Sequence, residues 1–342
     1  HVLLPNPRYY RTRGTTDQAV VPNARAARRV VEGSPHAASG LPASCQRHKA
    51  CPRIGRFAVP LLALRHFKSH IADFVMLSFE HQERLTRVGP GAPMARMLRE
   101  YWLPAARSAA LVADGKPQRV RLFGENYVVF RASDGKVGFL DEACPHRGAS
   151  LALGRNEGNG LACIYHAWKF DVEGRLVDTP CEAANPRQRE FMDSIRARHY
   201  PVREAGDMVW VYLGARATPP EFPMFEFNRL GGGHIHVRRA VLDYNWLQGL
   251  EAHLDAAHLP VLHSSTMKRF AGALDTDSGL ALQNVAPVME MHMTSYGMHE
   301  AAIRALPDGS SYARMRQLIL PFFTMVPSAP NSPCSEIGRA HV

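Results

Sequence analysis

Apolar and polar positions fall into short alternating bursts from Tyr127 onward. Tyr127-Val128-Val129-Phe130-Arg131 runs into the polar turn Ser133-Asp134-Gly135-Lys136 and then Val137-Gly138-Phe139-Leu140, the pattern of a β-hairpin. Residues 208–214 (MVWVYLG) read as the last strand of this first region. Pro219-Pro220-Glu221-Phe222-Pro223 reads as a stiff linker and Gly231-Gly232-Gly233 as a flexible break. Past them the period changes. A strand is expected over 235–242, then a helix from Asn245 in which Leu247, Leu250 and Leu254 recur at helical spacing and form the buried stripe. Residues 280–296 and 312–326 read as strands around a Pro307-Asp308-Gly309 turn.

Upstream of Met76 the pattern is absent. Residues 1–75 hold 12 Lys and Arg against 3 Asp and Glu, whereas residues 76–342 hold 29 against 28. The basicity of the chain, +10 overall, belongs to this leader and not to the folded body. A nucleic-acid partner is therefore not expected, since it would want a basic face on a folded domain. The best apolar run, 57–64 (FAVPLLAL), is broken by Pro60 and far too short to span a membrane. The leader is expected to be upstream, non-native translation without order, with the natural start at Met76; an Arg-rich transit peptide is the other reading. At the other end, 337–342 back-translates to ATC GGA AGA GCA CAC GTC, a common library adapter. Residues 336–342 are expected to be an adapter-derived tail, the protein itself continuing past about Ser335.

The chemistry concentrates in two places. Cys144-Pro145-His146 and Cys163-Ile164-Tyr165-His166 offer two thiolates and two imidazoles on separate hairpin tips. Soft thiolates with borderline imidazoles suit zinc or an iron–sulfur centre. The Cys-x-His spacing is too tight for the usual zinc-finger pairs, Cys-x(2–4)-Cys and His-x(3–5)-His. The mixed order within each pair matches a cluster in which one iron takes two Cys and the other two His. Cys45, Cys51, Cys181 and Cys334 fit no pattern and read as free thiols of a reducing compartment, the cytoplasm.

The second place is the 245–263 stretch, NWLQGLEAHLDAAHLPVLH. Glu251, Asp255 and His258 stand at i, i+4 and i+7, one face of a helix that Pro260 is expected to distort or end. The bend would bring His263 to the same side. Two His so placed can supply two corners of a two-His, one-carboxylate site for Fe(II). His253, about 140° around the helix from His258, reads as a packing residue.

Both loops, CPHRGASL and CIYHAWKF, resemble the Rieske family. Asp255-x-x-His258-x(4)-His263 resembles the matching element of Rieske non-haem iron ring-hydroxylating oxygenases, in particular the catalytic (alpha) subunit of the phthalate-dioxygenase-like branch. Ala149 and Tyr165 stand where respiratory Rieske subunits carry a further cysteine pair. A Rieske ferredoxin would end near residue 214.

The resemblance implies an α+β protein. An all-β Rieske domain with a helical lead-in would span 76–218, followed by a partial, helix-grip-like catalytic domain over 219–335. It implies a [2Fe-2S] cluster on Cys144, His146, Cys163 and His166, and mononuclear Fe(II) on His258 and His263. The third iron ligand is expected beyond the chain end, so Asp275, Asp277, Glu290 and Glu300 are set aside. Asp255 would bridge the two metals across subunits of a homotrimer. Glu251 and Asn245 either support that polar path or cap and solvate the helix. Electrons would come from a reductase or ferredoxin, with O2 and an aromatic, carboxylated compound as substrates. The alternative is a non-catalytic Rieske electron carrier. Met289, Met291, Met293 and Phe322 are candidate pocket residues, with core packing the favoured fate.

Overall fold

The computed structural model of the chain describes residues 77–230, 235–270, 277–326 and 339–340. All belong to one compact unit, Ala58–Val342. The leader, Met76, the Gly231–Gly233 break, Asp275, Cys45, Cys51, Cys334 and most of the 336–342 tail lie outside the described residues.

Helices α1 (Phe79–Thr86) and α2 (Pro93–Leu98) lead in. Ser78 caps the first, its hydroxyl accepting from the His81 amide at 3.2 Å. Pro93 opens the second, where a missing N–H costs nothing. The strands that follow are β1 (Trp102–Arg107), β2 (Gln118–Leu122), β3 (Glu125–Arg131), β4 (Val137–Asp141), β5 (Arg155–Glu157), β6 (Gly160–Ala162), β7 (Lys169–Phe170) and β8 (Leu176–Asp178). Helix α3 (Gln188–Asp193) then precedes β9 (Val202–Ala205) and β10 (Met208–Tyr212). They form three antiparallel sheets, β1-β10-β9, β2-β3-β4 and β5-β6-β7-β8.

β3 explains how the sheets stack. Its side chains alternate between two cores, as a period of two requires. Tyr127 and Val129 pack with Phe139, Trp210 and Tyr212. Val128 and Phe130 pack with Leu140, Leu161, Phe170 and both Cys144 and Cys163. The expected hairpin is present, with Arg131 opposite Val137. Gly138 is required there by close approach, since a Cβ would sit 2.6 Å from the Phe130 ring.

Downstream come α4 (Trp246–Leu254), α5 (Leu259–Leu262), α6 (Ser264–Phe270) and α7 (Asp277–Gln283). A meander follows: β11 (Val288–Thr294), β12 (Gly297–Ala305), β13 (Ser311–Ile319), β14 (Phe323–Met325) and β15 (Arg339–Ala340), paired in that order. β15 is the described part of the tail and lies against Phe323 and Thr324.

Three expectations are corrected here. Residues 235–242 form no strand; Val241 and Leu242 are exposed, and no described strand pairs with them. The stretch expected as strand from 280 begins instead as α7 and turns to strand at Val288. The one expected over 312–326 is two, β13 and β14. The Pro307-Asp308-Gly309 turn is where it was placed: Asp308 Oδ1 accepts from the Ser310 amide at 2.9 Å, and Gly309 takes a φ of 81°.

The two halves share a core. Phe322 and Phe323 pack with Trp210 and Phe222. The Trp246 indole donates to the Leu85 carbonyl at 3.2 Å, and Asn245 Nδ2 to Thr86 at 2.9 Å.

Candidate metal centres

The two Cys/His loops have the same local construction. In the first, the Cys144 amide donates to the Ala149 carbonyl at 2.9 Å and the Gly148 amide returns to Cys144 at 2.8 Å. In the second, the Cys163 amide donates to Trp168 and the Ala167 amide returns to Cys163, both at 2.9 Å. Each turn needs a left-handed residue at its fourth step. Gly148 supplies it with φ 70° and Ala167 with φ 57°. For alanine that conformation costs roughly 1–2 kcal/mol, so the second loop holds it against local preference.

These turns bring the four side chains together. Cys144 and Cys163 are both buried in the same core cluster. Burial pushes the Cys144 thiol up to about 11, against the opposing pull of the His146 and Arg147 amides and with a further push from Cys163. The His146 and His166 rings are half-buried, 4.5 Å apart between centroids. Burial, then His166 and Arg147, lowers the pKa of His146 and so favours a neutral imidazole. Trp168, which the sequence reading did not single out as functional, stacks on His146 at 4.3 Å and 9°. Glu142 is buried beneath the first loop, where Arg119 donates to it at 2.7 Å and the Ser150 hydroxyl also donates.

The donor set fits a [2Fe-2S] cluster. Two adjoining thiols suit one iron and two neutral imidazoles the other. His166 Nδ1 is buried with no hydrogen-bond partner, as a nitrogen reserved for a metal would be. Among the described residues no trio of His, Cys, Asp or Glu closes around one point, and a two-per-iron pattern needs none.

The second place is built differently from the expectation. Helix α4 ends at Leu254, and Asp255 is its C-cap, with extended backbone at φ −75° and ψ 114°. Glu251, Asp255 and His258 therefore do not share the face of one continuous helix. Asp255 causes the break: its Oδ1 accepts from the Ala257 amide at 2.7 Å, a local bond that competes with the helix. Pro260 starts a helix instead of ending one, standing in the first turn of α5, with His258 as N-cap and His263 as C-cap. One short helix thus brings the two rings to 5.3 Å between centroids.

Asp255 Oδ2 lies 3.3 Å from His258 Nδ1. That contact orients the ring and leaves Nε2 for a metal. Two imidazoles so held fit a ferrous ion that takes further ligands from elsewhere.

Asn245 is the N-cap of α4, accepting from the Leu247 amide at 3.0 Å. Glu251 is exposed, and its carbonyl takes the last α4 bond from Asp255. Glu290 is exposed on β11, and Glu300 is buried opposite Arg316. Phe322 is fully buried in the shared core, as packing predicts. Met289, Met291 and Met293 are exposed, which corrects the favoured core fate for those three.

Fold and donor sets together define a Rieske-type protein, and the comparisons agree. Residues 101–201 match the family described as Rieske [2Fe-2S] domain, and residues 211–338 the family described as LigXa C-terminal domain like. The chain thus carries a Rieske [2Fe-2S] domain followed by a LigXa C-terminal-like domain, and it is similar to curated oxygenase subunits. It is 40% identical over 248 residues to the 3-chlorobenzoate-3,4-dioxygenase oxygenase subunit of Comamonas testosteroni, covering 72% of this chain and 56% of that protein. It is 39% identical over 269 residues to the phthalate 4,5-dioxygenase oxygenase subunit of Pseudomonas putida, covering 75% and 59%. A third relative, the 5,5'-dehydrodivanillate O-demethylase oxygenase subunit of Sphingobium sp. (strain NBRC 103272 / SYK-6), is 40% identical over 58% of this chain and 46% of its own length. The chain thus spans about half the length of the curated relatives it matches. Among solved structures, the NdmA QL mutant of Pseudomonas putida CBB5 with theobromine shares the fold at TM-score 0.50 and 20% identity, over 69% of this chain and 66% of that one.

Proposed function

We propose that this chain is the terminal oxygenase component of a Rieske ring-hydroxylating system acting on an aromatic, carboxylated substrate. The observation that carries the reading is the pairing, in one chain, of the Cys/His loops with the His258–His263 pair and the Asp255 carboxylate on His258 Nδ1. Cys144, His146, Cys163 and His166 would hold a [2Fe-2S] cluster, and His258 and His263 a mononuclear ferrous ion. The cluster supplies one-electron transfer and the ferrous ion supplies O2 activation when bound. The carboxylated substrate class is supported by two relatives whose names carry benzoate and phthalate.

The residues of the chain divide the remaining work. The Cys144 and Cys163 loops shield the thiols from water, while the half-buried imidazoles reach the surface. Asp255 accepts the Nδ1 proton of His258 and fixes its tautomer. We assign the same carboxylate a second role, accepting a ring N–H of His166 from a neighbouring copy in a homotrimer. A reductase or ferredoxin would deliver the electrons. Among the described residues no helix is long and apolar enough to cross a membrane.

The test is O2 uptake by the metal-loaded protein with a reductase, in the presence of benzoate- and phthalate-type acids. Aromatic-dependent uptake is expected, and its loss in Asp255→Ala even when excess Fe(II) keeps both metal sites filled. A protein that holds the cluster but no second iron, and shows no aromatic-dependent uptake, would favour the electron carrier, whereas uptake that ignores every aromatic acid with both metals bound would remove the aromatic substrate. Normal coupled turnover in Asp255→Ala would remove the bridging role.

A further inference from the structure

The inner face of the C-terminal sheet carries charge where apolar side chains are the norm. Along β12 burial alternates, and its inward positions hold Glu300, Ala302 and Arg304. β13 pairs with it so that Arg316 stands directly opposite Glu300. Arg304, Arg316 and Glu300 are 1%, 2% and 3% exposed. Buried charge is expensive unless it is matched, so the partners decide what these residues are for.

Their partners lie in the chain between α4 and α5. Arg316 Nη1 donates to the Leu254 carbonyl at 3.0 Å, and Arg304 Nη2 to the Ala256 carbonyl at 2.9 Å. Arg304 Nε also donates to Asn284 at 2.9 Å. Carbonyls at a helix C-terminus have lost their intrahelical donors and carry the negative end of the helix dipole. The α4 ladder ends with the bond from the Asp255 amide to Glu251, so the carbonyls on either side of Asp255 need outside donors. Two arginines from a sheet some fifty to sixty residues further along the chain supply them. Glu300 lies 3.6 Å from Arg316 and, with Asp255, partly offsets the buried charge of that arginine.

The geometry points to Arg304 and Arg316 as positioning residues of the second metal site: gripping the carbonyls on both sides of Asp255, they fix its carboxylate and through it the His258 ring. This rests on the reading of His258 and His263 as iron ligands. The arginines touch neither ring. Their part is to hold the residue that orients one.

The experiment uses the cluster-containing full chain, titrated anaerobically with Fe(II) and treated with nitric oxide. The ferrous–nitrosyl resonance then reports occupancy and rhombicity, while the oxidised cluster is silent. Arg304→Met and Arg316→Met are each expected to weaken Fe(II) binding by about tenfold or more, the scale of lost support around a metal ligand, and to alter the rhombicity. The resonance of the reduced cluster is expected to stay as in the wild type. Arg316→Lys keeps one donor for Leu254 and is expected to recover most of the affinity. Arg131→Met, which removes a multiply bonded arginine from the Rieske half, is expected to lower the melting temperature without changing iron affinity. Wild-type affinity and line shape in both methionine variants, whatever their melting temperature, would overturn the inference. So would an equal loss in Arg131→Met. A wild-type chain that forms its cluster but takes up no Fe(II) would overturn the iron reading itself, and this inference with it.

Discussion

The two metal-facing regions are assembled over very different distances along the chain. Each Rieske loop closes on itself: the bonds that shape it join residues four or five apart, Cys144 to Gly148 and Ala149, Cys163 to Ala167 and Trp168. The 254–263 segment does not. Its two histidines cap a four-residue helix at either end, its carboxylate lies between carbonyls tied to arginines on β12 and β13, and the methionines of β11, the edge strand of the same sheet, stay exposed. On the proposed reading, the cluster site is set by local turn chemistry, whereas the mononuclear site draws on the sheet folding back onto it. Damage is therefore expected to stay local in the first region and to travel in the second.

The largest test of that contrast is Cys163→Ser. It is expected to abolish the cluster, seen as loss of its visible absorption and acid-labile sulfide, while the 254–263 segment keeps its hydrogen-exchange protection. Loss of protection in both regions would erase the distinction. Next comes Trp168→Ala, which removes a buried indole stacked on His146 and packed on Phe191. A cost of about 3–5 kcal/mol is expected from such a truncation, measured by denaturant unfolding, with easier loss of the cluster. A change below about 1 kcal/mol would mean that the stack bears little load.

Ala167→Gly sharpens the comparison from the other side. It removes a left-handed alanine and is expected to stabilise the protein by about 1 kcal/mol, read as a raised melting temperature with unaltered cluster spectra. A lower melting temperature would show that the Ala167 methyl packs usefully.

The smallest effect concerns acid. The hydrogen bonds from Arg131 hold the Glu204 carboxyl below its ordinary value, burial opposing and Ser108 assisting. A carboxylate with a depressed folded-state pKa contributes stability that is whole above the unfolded value, about 4.3. That contribution fades as pH falls through the folded value. Glu204→Gln is therefore expected to flatten the acid limb of a melting-temperature profile below about pH 4.5, and parallel profiles would contradict the role. Glu204 is more than one third exposed, so the effect is modest.

The same contrast explains what could be read from residues alone. The hairpin of β3 and β4, the two Cys/His loops and the last strand of the Rieske half all rest on short-range pattern, and their spacing carries the geometry. Residues 235–242 have strand-like composition but no described strand to pair with, which pattern cannot show. The α4 break escapes pattern because Leu247, Leu250 and Leu254 continue a helical stripe up to the point where the Asp255 side chain captures the Ala257 amide. Pattern alone makes Pro260 a terminator, whereas it stands in the first turn of α5, where it is well tolerated. The Arg304 and Arg316 grip is long-range. Its one sequence signal is charge at alternate positions of a strand with apolar neighbours, Glu300, Ala302 and Arg304, which marks a buried face that must meet something polar.

Two metal sites in one chain are what the proposed function requires, and a count of iron against acid-labile sulfide in the anaerobically purified full protein tests them most directly. Three irons for every two sulfides are expected, falling to two for two in His258→Ala and His263→Ala. Two irons for two sulfides in the wild type, or zinc with no sulfide, would contradict that function.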